Sequence, residues 1–449
     1  MMRLLLTHGY FLDEDPKEKQ IMKPYVPLGI LYLSSHLRAH GLDVDVYDST
    51  FGTLAELFGV IDSQPPAAIG IYGNLMTRAN VLAIAAHAKA AGWLVIVGGP
   101  EPSNYVDEFL MSGADVVVSG EGERALERLL SKSCTRDAWA AIPGIAFRDA
   151  SGQIVRTGSP ELIGDLDRQP WPDRDRVDIP KYLETWRTFH GKASVSVITA
   201  RGCPYRCNWC SHSVYGFTHR RRKPALVVDE IEWLIGRYHP DMLWIADDVF
   251  TIHHGWLEAF AAEMTRRNVH IPFECITRAD KIDEKVAALL GELGCARVWI
   301  GSESGSQAIL DAMQRGVTVE QVQRAVALCK ANDIATGMFL MWGYEGEQIA
   351  DIEATVEHVK QCRPDVFFTT VSYPIKGTPY FARTAEKLVN LKPWQETTDR
   401  EFRIRGRHSR NFYRHADELL RSEMAEQPDL ATIHAARNAL YATAQEVEA

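Results

Sequence analysis

The chain lacks the long apolar runs that would place it in a membrane. No stretch of its 449 residues approaches the ~20 consecutive apolar residues that a membrane-spanning helix needs, so the sequence predicts no transmembrane segment. The chain also lacks a basic surplus, because its 49 Lys and Arg residues are outnumbered by 59 Asp and Glu residues. General nucleic-acid binders are usually basic. The charge balance therefore argues against a nucleic-acid partner.

Cysteine is too sparse for a disulfide framework. The chain has eight cysteines in 449 residues, whereas disulfide-stabilised domains are short and cysteine-dense. This usage predicts a reducing, cytoplasmic environment. Five of the cysteines are scattered and are expected to act as small, buried apolar residues: Cys134, Cys275, Cys295, Cys329 and Cys362.

The other three cysteines are clustered. Cys203, Cys207 and Cys210 stand in the spacing C-x3-C-x2-C, and no fourth cysteine lies nearby. Three thiolates can bind three of the irons of a cubane iron–sulfur cluster, which leaves one iron free to bind and split a small molecule. The alternative is a zinc site completed by His212. A single compact loop disfavours zinc, because zinc ligands usually come in pairs from two turns.

Residues 1–135 alternate short apolar strands with helices, which predicts a doubly wound, Rossmann-like parallel sheet. The predicted strands are 3–7, 44–47, 68–72, 94–97 and 116–118, and the clearest predicted helices are 28–40 and 79–91. Glycines cluster after these strands, at Gly73, Gly98, Gly99, Gly120 and Gly122. Ligands bind at the carboxyl ends of such strands, where glycine allows a close approach to the backbone. Ordinary turn chemistry is the alternative for any one of them.

Residues 136–190 are rich in Asp, Pro and Arg and are predicted to connect two domains. A second strand–helix alternation over 191–390 predicts a partial (β/α)6 barrel, and residues 391–449 are predicted to be a helical C-terminal region. The barrel strands are expected at 195–199, 242–246, 272–277, 297–301, 336–341 and 366–371. The three-cysteine loop follows the first of these strands, where barrels carry their chemistry. The basic run 219–223 is either a solvated loop or a contact for an anionic ligand.

The cysteine loop and the barrel together resemble the radical S-adenosylmethionine (radical SAM) superfamily. The resemblance implies that Cys203, Cys207 and Cys210 hold a [4Fe-4S] cluster whose open iron binds S-adenosylmethionine (SAM). Reductive cleavage of SAM then gives methionine and a 5′-deoxyadenosyl radical. It also implies SAM contacts at the strand ends, by Trp209, Asp247, Asp248, Arg278, Glu303, Ser304 and Gly346. Helix capping by the aspartates and a surface ion pair of Arg278 are the alternatives.

The N-terminal domain makes the chain similar to the cobalamin-binding subclass of that superfamily. The similar stretches are 27–33, 98–102, 120–123, 201–204 and 373–379. The resemblance implies cobalamin contacts by Gly29, Gly73, Asn74, Leu75, Gly98, Gly99, Pro100, Ser119, Gly120 and Glu121. The chain departs from the pattern of this domain in three ways. It has no Asp-x-His-x-x-Gly signature for a cobalt-binding histidine, and Glu101 replaces a frequent histidine. The third departure is the segment 73–77, which stands where small hydroxyl residues are more usual.

The resemblance implies an enzyme that uses one SAM to methylate cobalamin and a second to generate the radical. The expected reaction is C-methylation of an unactivated carbon in a small-molecule substrate, with flavodoxin or ferredoxin as electron donor. An oxidative cyclase or ring-rearranging enzyme is the first alternative, and a non-catalytic cobalamin or iron–sulfur sensor is the second. The resemblance assigns no catalytic residue beyond the cluster ligands.

Overall fold

The computed structural model describes residues 3–131 and 136–448, so Cys134 lies outside the described residues. The chain divides into two compact units. The first unit contains Met1–Pro204, Ser211–Met242 and Lys392–Thr398, and the second contains Tyr205–Cys210, Leu243–Leu391 and Asp399–Ala449. In the described ranges, no helix is both long enough and apolar enough to cross a membrane.

The first unit is built on a seven-stranded sheet. Its strands are β1 (Leu4–His8), β2 (Val44–Val46), β3 (Ala68–Tyr72), β4 (Leu94–Gly98), β5 (Val116–Val118), β6 (Ile145–Arg148) and β7 (Ile154–Arg156). They lie in the order β2-β1-β3-β4-β5-β6-β7. The pairs among β1 to β5 are parallel, and those that join β6 and β7 are antiparallel. The unit also contains β8 (Ser194–Val197), β9 (Ala200–Arg201) and β10 (Arg220–Arg221).

The first unit contains helices that cover both faces of this sheet, together with others that do not pack on it. They are α1 (Pro16–Ile21), α2 (Leu28–Ala39), α3 (Leu54–Asp62), α4 (Arg78–Ala90), α5 (Pro100–Asn104), α6 (Val106–Met111), α7 (Glu123–Ser131), α8 (Arg136–Trp139), α9 (Ile179–His190) and α10 (Pro224–Tyr238). Alternate strand residues point to opposite faces. Leu5 and Val95 pack in a core with α3 and α4, whereas Leu4 and Ile96 pack in a core with α2 and α7. The doubly wound fold predicted from the sequence is confirmed.

The segment predicted to be a connector contributes the strands β6 and β7, which the sequence analysis did not predict. The turn between them is held by Asp149, whose carboxylate accepts hydrogen bonds from the backbone N–H groups of Ser151 and Gln153. Gly152 supplies a positive φ of 84°. Strands of four and three residues are too short for a clear hydrophobic period, and β6 is fixed by pairing with the distant β5.

The second unit contains the parallel strands of the predicted barrel. They are β11 (Met242–Ile245), β12 (Phe273–Thr277), β13 (Cys295–Glu303), β14 (Ala335–Trp342) and β15 (Val366–Val371). Neighbours in sequence pair in parallel throughout. Within the unit they lie in the order β15-β14-β13-β12-β11. This parallel sheet fits the partial (β/α)6 barrel that the sequence predicts. A short antiparallel pair, β16 (Leu388–Val389) and β17 (Arg403–Ile404), follows.

The helices of the second unit follow its strands and extend into the C-terminal region. They are α11 (His254–Arg266), α12 (Glu284–Glu292), α13 (Gln307–Ala312), α14 (Val319–Ala331), α15 (Ile349–Cys362), α16 (Pro379–Thr384), α17 (Arg410–Glu423) and α18 (Leu430–Ala442). Capping boxes define the starts of α14 and α15. The last two helices confirm that the C-terminal region is helical.

Candidate functional site

A cavity of about 370 Å³ opens at the carboxyl ends of the strands in the first unit. Six of the residues expected to contact cobalamin line it: Gly29, Gly98, Gly99, Pro100, Gly120 and Glu121. Four others do not line it: Gly73, Asn74, Leu75 and Ser119. The sequence analysis missed several lining side chains, among them Tyr32, Leu33, Leu126, Val214 and Tyr215. Tyr32 and Leu33 could have been found, since they belong to the stretch 27–33 that carried the resemblance.

Two glycines of the cavity wall differ in what a side chain at their position would meet. Gly99 has a φ of 107°, and a Cβ there would collide with the carbonyl oxygen of Gly73 and approach the ring of Tyr72 to 2.9 Å. Gly73 therefore supports the wall although it does not line the cavity. A Cβ on Gly29 would meet nothing within 4 Å, so this glycine leaves free space beside the first turn of α2.

Arg201 also lines the cavity, and it is held by two buried carboxylates. Its Nη1 donates to Glu121 Oε1 at 2.7 Å and to Glu123 Oε1 at 2.8 Å, and Arg220 Nη1 donates to Glu121 Oε2 at 2.6 Å. Burial alone would lower the pKa of Arg201, but Glu123 and Glu121 outweigh it and hold that pKa above its ordinary value. The carboxylate of Glu121 is thus committed to arginines, and its site role is to position Arg201.

The basic run 219–223 contributes to the same kind of network and is not simply a solvated loop. Arg220 pairs with Glu121, and Arg222 forms an ion pair with the buried Glu230. Glu230 also accepts from Arg174 Nη1 at 2.6 Å. These partners lie up to 99 residues away in sequence, so the run alone could not indicate them.

Glu101, which replaces the frequent histidine, does not line the cavity. Its carboxylate is buried and accepts from Nε of Arg78 at 2.6 Å. Arg78 is also buried, and its Nη1 donates to the carbonyl oxygens of Trp394 at 3.1 Å and Thr397 at 2.8 Å. The departure from the family pattern at this position is therefore explained by an ion pair inside the first unit.

The cysteine loop is anchored around Asn208 in the second unit. The backbone N–H of Asn208 donates to Met313 O at 2.9 Å, its Nδ2 donates to Ala312 O at 3.0 Å, and its carbonyl accepts from Tyr380 N at 3.0 Å. Cys207 is buried, and Cys203 and Cys210 are half-buried. Trp209 packs among apolar side chains that include Met313 and Tyr380.

Two arginines face the sulfur of Cys207. Nη1 of Arg315 lies 3.7 Å from Sγ, and Nη1 of Arg278 lies 3.9 Å from it. Arg278 comes directly after β12, is buried, and stacks on the ring of Tyr205 at 3.7 Å. It also donates to Asp280 Oδ1 at 2.8 Å. These donors complement the negative charge that a metal-bound thiolate sulfur carries.

Glu303 and Ser304 stand at the end of β13. Glu303 is buried with a positive φ of 63°, and its Oε1 lies 3.8 Å from Nε of Arg315. Burial raises the pKa of Glu303, and Arg315 and Arg278 oppose that rise. The hydroxyl of Ser304 lies 3.1 Å from the Thr355 hydroxyl and accepts from the backbone N–H of Ser306 at 3.1 Å. Ser304 therefore shapes the turn after the strand.

The remaining predicted SAM contacts follow other strands of the second unit. Asp247 is buried and Asp248 is exposed after β11, while Gly346 is exposed after β14 with a φ of 90°. Sequence reasoning missed Arg315, which follows α13 and not a strand. It also missed His358, whose Nε2 lies 3.0 Å from the Ser302 hydroxyl. Burial lowers the pKa of His358 to about 4.

Family comparisons agree with both parts of this description. Residues 197–359 match the model of the Radical SAM superfamily. This stretch of the chain is therefore a radical SAM domain. Residues 21–130 match the model of the B12 binding domain.

Individual proteins are similar over most of their length. An uncharacterized methyltransferase of Pyrococcus horikoshii is 28% identical over 385 residues, which cover 83% of this chain and 81% of that protein. The anaerobic magnesium-protoporphyrin IX monomethyl ester cyclase of Rubrivivax gelatinosus is 28% identical over 400 residues, covering 86% of this chain and 71% of the cyclase. The solved radical SAM methyltransferase TsrM of Kitasatospora setae, with cobalamin and a [4Fe-4S] cluster bound, is 20% identical with a TM-score of 0.70. That match covers 86% of this chain and 75% of TsrM, and it supports the fold.

Proposed function

We propose that this protein is a cobalamin-dependent radical SAM enzyme that methylates an unactivated carbon of a small molecule. The observation that carries the proposal is the glycine-walled cavity at the strand ends of the segment that matches a B12-binding domain. A radical SAM enzyme that did not use cobalamin would have no need of this cavity. The relatives named as methyltransferases support methyl transfer as the reaction.

The residues of the cysteine loop fit a [4Fe-4S] cluster held by Cys203, Cys207 and Cys210. The three cysteines lie in one short loop, and the guanidinium groups of Arg315 and Arg278 face the sulfur of Cys207. When bound, the cluster supplies the electron that cleaves SAM. Hydrogen bonds of Asn208 keep the loop in place. Trp209, Asp247, Asp248, Arg278, Glu303, Ser304 and Gly346 remain the proposed SAM contacts.

The cavity of the first unit fits a flat, bulky cofactor because its wall exposes backbone. Gly29 and Gly99 supply that surface, and the apolar side chains of Leu33 and Leu126 complete it. Cobalamin supplies a transferable methyl group when bound. Arg201, pinned by Glu121 and Glu123, places a positive charge at the cavity. Gly73, Asn74, Leu75 and Ser119 stay proposed cobalamin contacts that the cavity lining does not include.

The direct test needs no knowledge of the substrate. The holoenzyme, loaded anaerobically with cluster and cobalamin, is reduced with flavodoxin or titanium(III) citrate and given SAM. We expect both S-adenosylhomocysteine, from methyl transfer to the cofactor, and slow release of 5′-deoxyadenosine. Replacing Cys203, Cys207 and Cys210 together by Ala should abolish the deoxyadenosine. Holoenzyme that forms neither product would contradict the proposal and would favour a non-catalytic sensor.

Oxidative cyclisation is the second candidate, because one relative of 28% identity is a cyclase. The same assay separates the two reactions. A cyclase should release 5′-deoxyadenosine without forming S-adenosylhomocysteine, even when cobalamin is bound. Formation of one or more equivalents of S-adenosylhomocysteine per chain favours the methyltransferase.

A further inference from the structure

Two histidines and a glutamate meet between α2 and α7 in the first unit. His36 lies in the last turn of α2 and His40 is the C-cap residue of that helix four positions later, so their side chains lie on the same side of the helix end. Nε2 of His36 lies 3.1 Å from Oε2 of Glu127 on α7, and Nε2 of His40 lies 4.0 Å from the same oxygen. The three ligand atoms lie within 4.8 Å of one another. None of these side chains lines the cavity described above.

The other ring nitrogens fix which atoms can act as ligands. Nδ1 of His40 lies 2.7 Å from the carbonyl oxygen of His36, which only accepts, so this nitrogen carries the proton. Nδ1 of His36 lies 3.3 Å from Oε1 of Gln169, which is also an acceptor. In the neutral tautomer that carries the proton on both Nδ1 atoms, both Nε2 atoms present lone pairs to one carboxylate oxygen. Two lone pairs that converge on an anion repel it unless a cation lies between them.

This arrangement is the one that metal-binding histidines adopt. A histidine ligand donates its second N–H to a carbonyl or carboxylate oxygen, which orients the ring towards the metal. Ligand atoms about 2.0 to 2.1 Å from a tetrahedral Zn²⁺ are separated by about 3.3 Å. The 3.1 Å between Nε2 of His36 and Oε2 of Glu127 already suits such a site, and Nε2 of His40, 4.0 Å from the same oxygen, must move inward by about 0.7 Å.

We propose that His36, His40 and Glu127 bind a divalent transition metal of the zinc type, with a water molecule as the fourth ligand. Two imidazoles and a carboxylate are typical zinc ligands. The exposed fraction of the side chain is 6% for His36, 35% for Glu127 and 46% for His40, so the ion can enter from the His40 side. The metal would tie together two helices that both contribute to the cavity, α2 through Tyr32 and α7 through Leu126.

The test uses tag-free holoenzyme whose cysteine loop is occupied by its cluster, so that free thiols do not bind zinc. The protein is equilibrated with ZnSO₄, dialysed, and its zinc content is measured by mass spectrometry. We expect one zinc per chain, with nitrogen and oxygen neighbours and no sulfur in zinc K-edge X-ray absorption. Zinc should also raise the unfolding temperature of the chain.

His40→Ala and Glu127→Gln should each lower the affinity for zinc by at least about 10- to 100-fold. Loss of an outer-shell partner alone already has an effect of that size. Both positions are partly exposed, so the variants should fold, which far-UV circular dichroism checks. His87→Ala is the matched control, because His87 pairs with Asp62 at 2.9 Å on the same unit but has no second histidine. Zinc bound by sulfur, equal zinc in all variants, or no zinc in the wild type would overturn the proposal. The last result would leave His36 and Glu127 as an ordinary ion pair. None of these measurements depends on SAM cleavage.

Discussion

Arg315 points its Nη1 at Sγ of Cys207, 3.7 Å away, while its Nη2 donates to Gly301 O at 2.9 Å. The guanidinium is buried and is fixed between the cysteine loop and the end of β13. Burial favours the neutral form, but Glu303 and Cys207 keep the pKa of Arg315 above its ordinary value. A permanent positive charge therefore lies beside a proposed cluster ligand.

Replacing Arg315 by Gln should lower the reduction potential of the cluster. Removal of a positive charge a few ångströms from the irons disfavours the added electron, by on the order of 100 mV if the effective dielectric constant is near 20. The potential is measured by a redox titration followed by electron paramagnetic resonance. Arg315→Lys retains the charge and serves as the control, with a smaller shift. Equal potentials in wild type and Arg315→Gln would show that the charge does not act on the cluster.

Two glycine substitutions should separate folding from cofactor binding. Gly99→Ala forces a Cβ into the Gly73 carbonyl at a positive φ, so we expect it to destabilise the first unit by about 1–3 kcal/mol. Gly29→Ala meets nothing within 4 Å in the protein, so its unfolding temperature should stay near that of the wild type. Its methyl group enters the cavity and should weaken cobalamin binding, measured by absorbance titration. Unchanged cobalamin affinity in Gly29→Ala would place the cofactor elsewhere.

Glu347 should make the stability of the protein fall as pH rises. Burial raises the pKa of Glu347 to about 8, although a hydrogen bond from Gly343 N at 2.5 Å opposes the rise. The folded protein thus keeps a proton that the unfolded chain loses near pH 4.5. Stability is full below that pH and declines up to about pH 8, with a slope of at most about 1.4 kcal/mol per pH unit.

Glu347→Gln keeps the acceptor for Gly343 N and removes the titrating group. The decline of stability with rising pH should therefore be smaller in the variant. Urea unfolding of anaerobic protein between pH 5 and pH 9 measures it. Glu345→Gln is the matched control, because Glu345 is exposed two residues earlier in the same loop. Parallel pH profiles for wild type and Glu347→Gln would refute the assignment.

Breaking the Arg78–Glu101 pair should destabilise the first unit strongly. Glu101→Gln leaves a buried guanidinium without its counter-charge, which typically costs about 3–5 kcal/mol. Arg187→Gln removes the exposed pair with Asp241 and should change the free energy of unfolding by about 0–1 kcal/mol. Chemical denaturation of both variants provides the comparison. Similar changes in the free energy of unfolding for the two variants would mean that burial of Arg78 does not raise the cost of losing its counter-charge.

Hydrophobic periodicity was sufficient to predict the main parallel strands of both units. The strand predicted over 68–72 is β3, and the strand predicted over 366–371 is β15. The cysteine spacing led directly to the loop that Asn208 anchors. These features depend on neighbours in sequence, which is why a single chain reveals them.

Features that depend on distant partners could not be predicted in this way. Arg201 finds Glu121 and Glu123 about 80 residues earlier, and Arg315 lies 108 residues from Cys207. The hairpin of β6 and β7 depends on pairing with β5. Glu121 was predicted from its motif as a cobalamin contact. In the structure its carboxylate accepts hydrogen bonds from the guanidinium groups of Arg201 and Arg220.

Trp394 affects when the first unit can complete its folding during synthesis. Its ring lies 5.4 Å from that of Tyr105 and 5.2 Å from that of Phe109, and its carbonyl accepts from Arg78. Trp394 belongs to the segment Lys392–Thr398, whereas the rest of the first unit ends at Met242. The ribosome therefore adds this segment 150 residues later, a delay of roughly 10 to 30 s at ordinary rates of synthesis. Until then the nascent unit holds Arg78 without two of its acceptors. Completion of the N-terminal unit must therefore await translation of most of the C-terminal half.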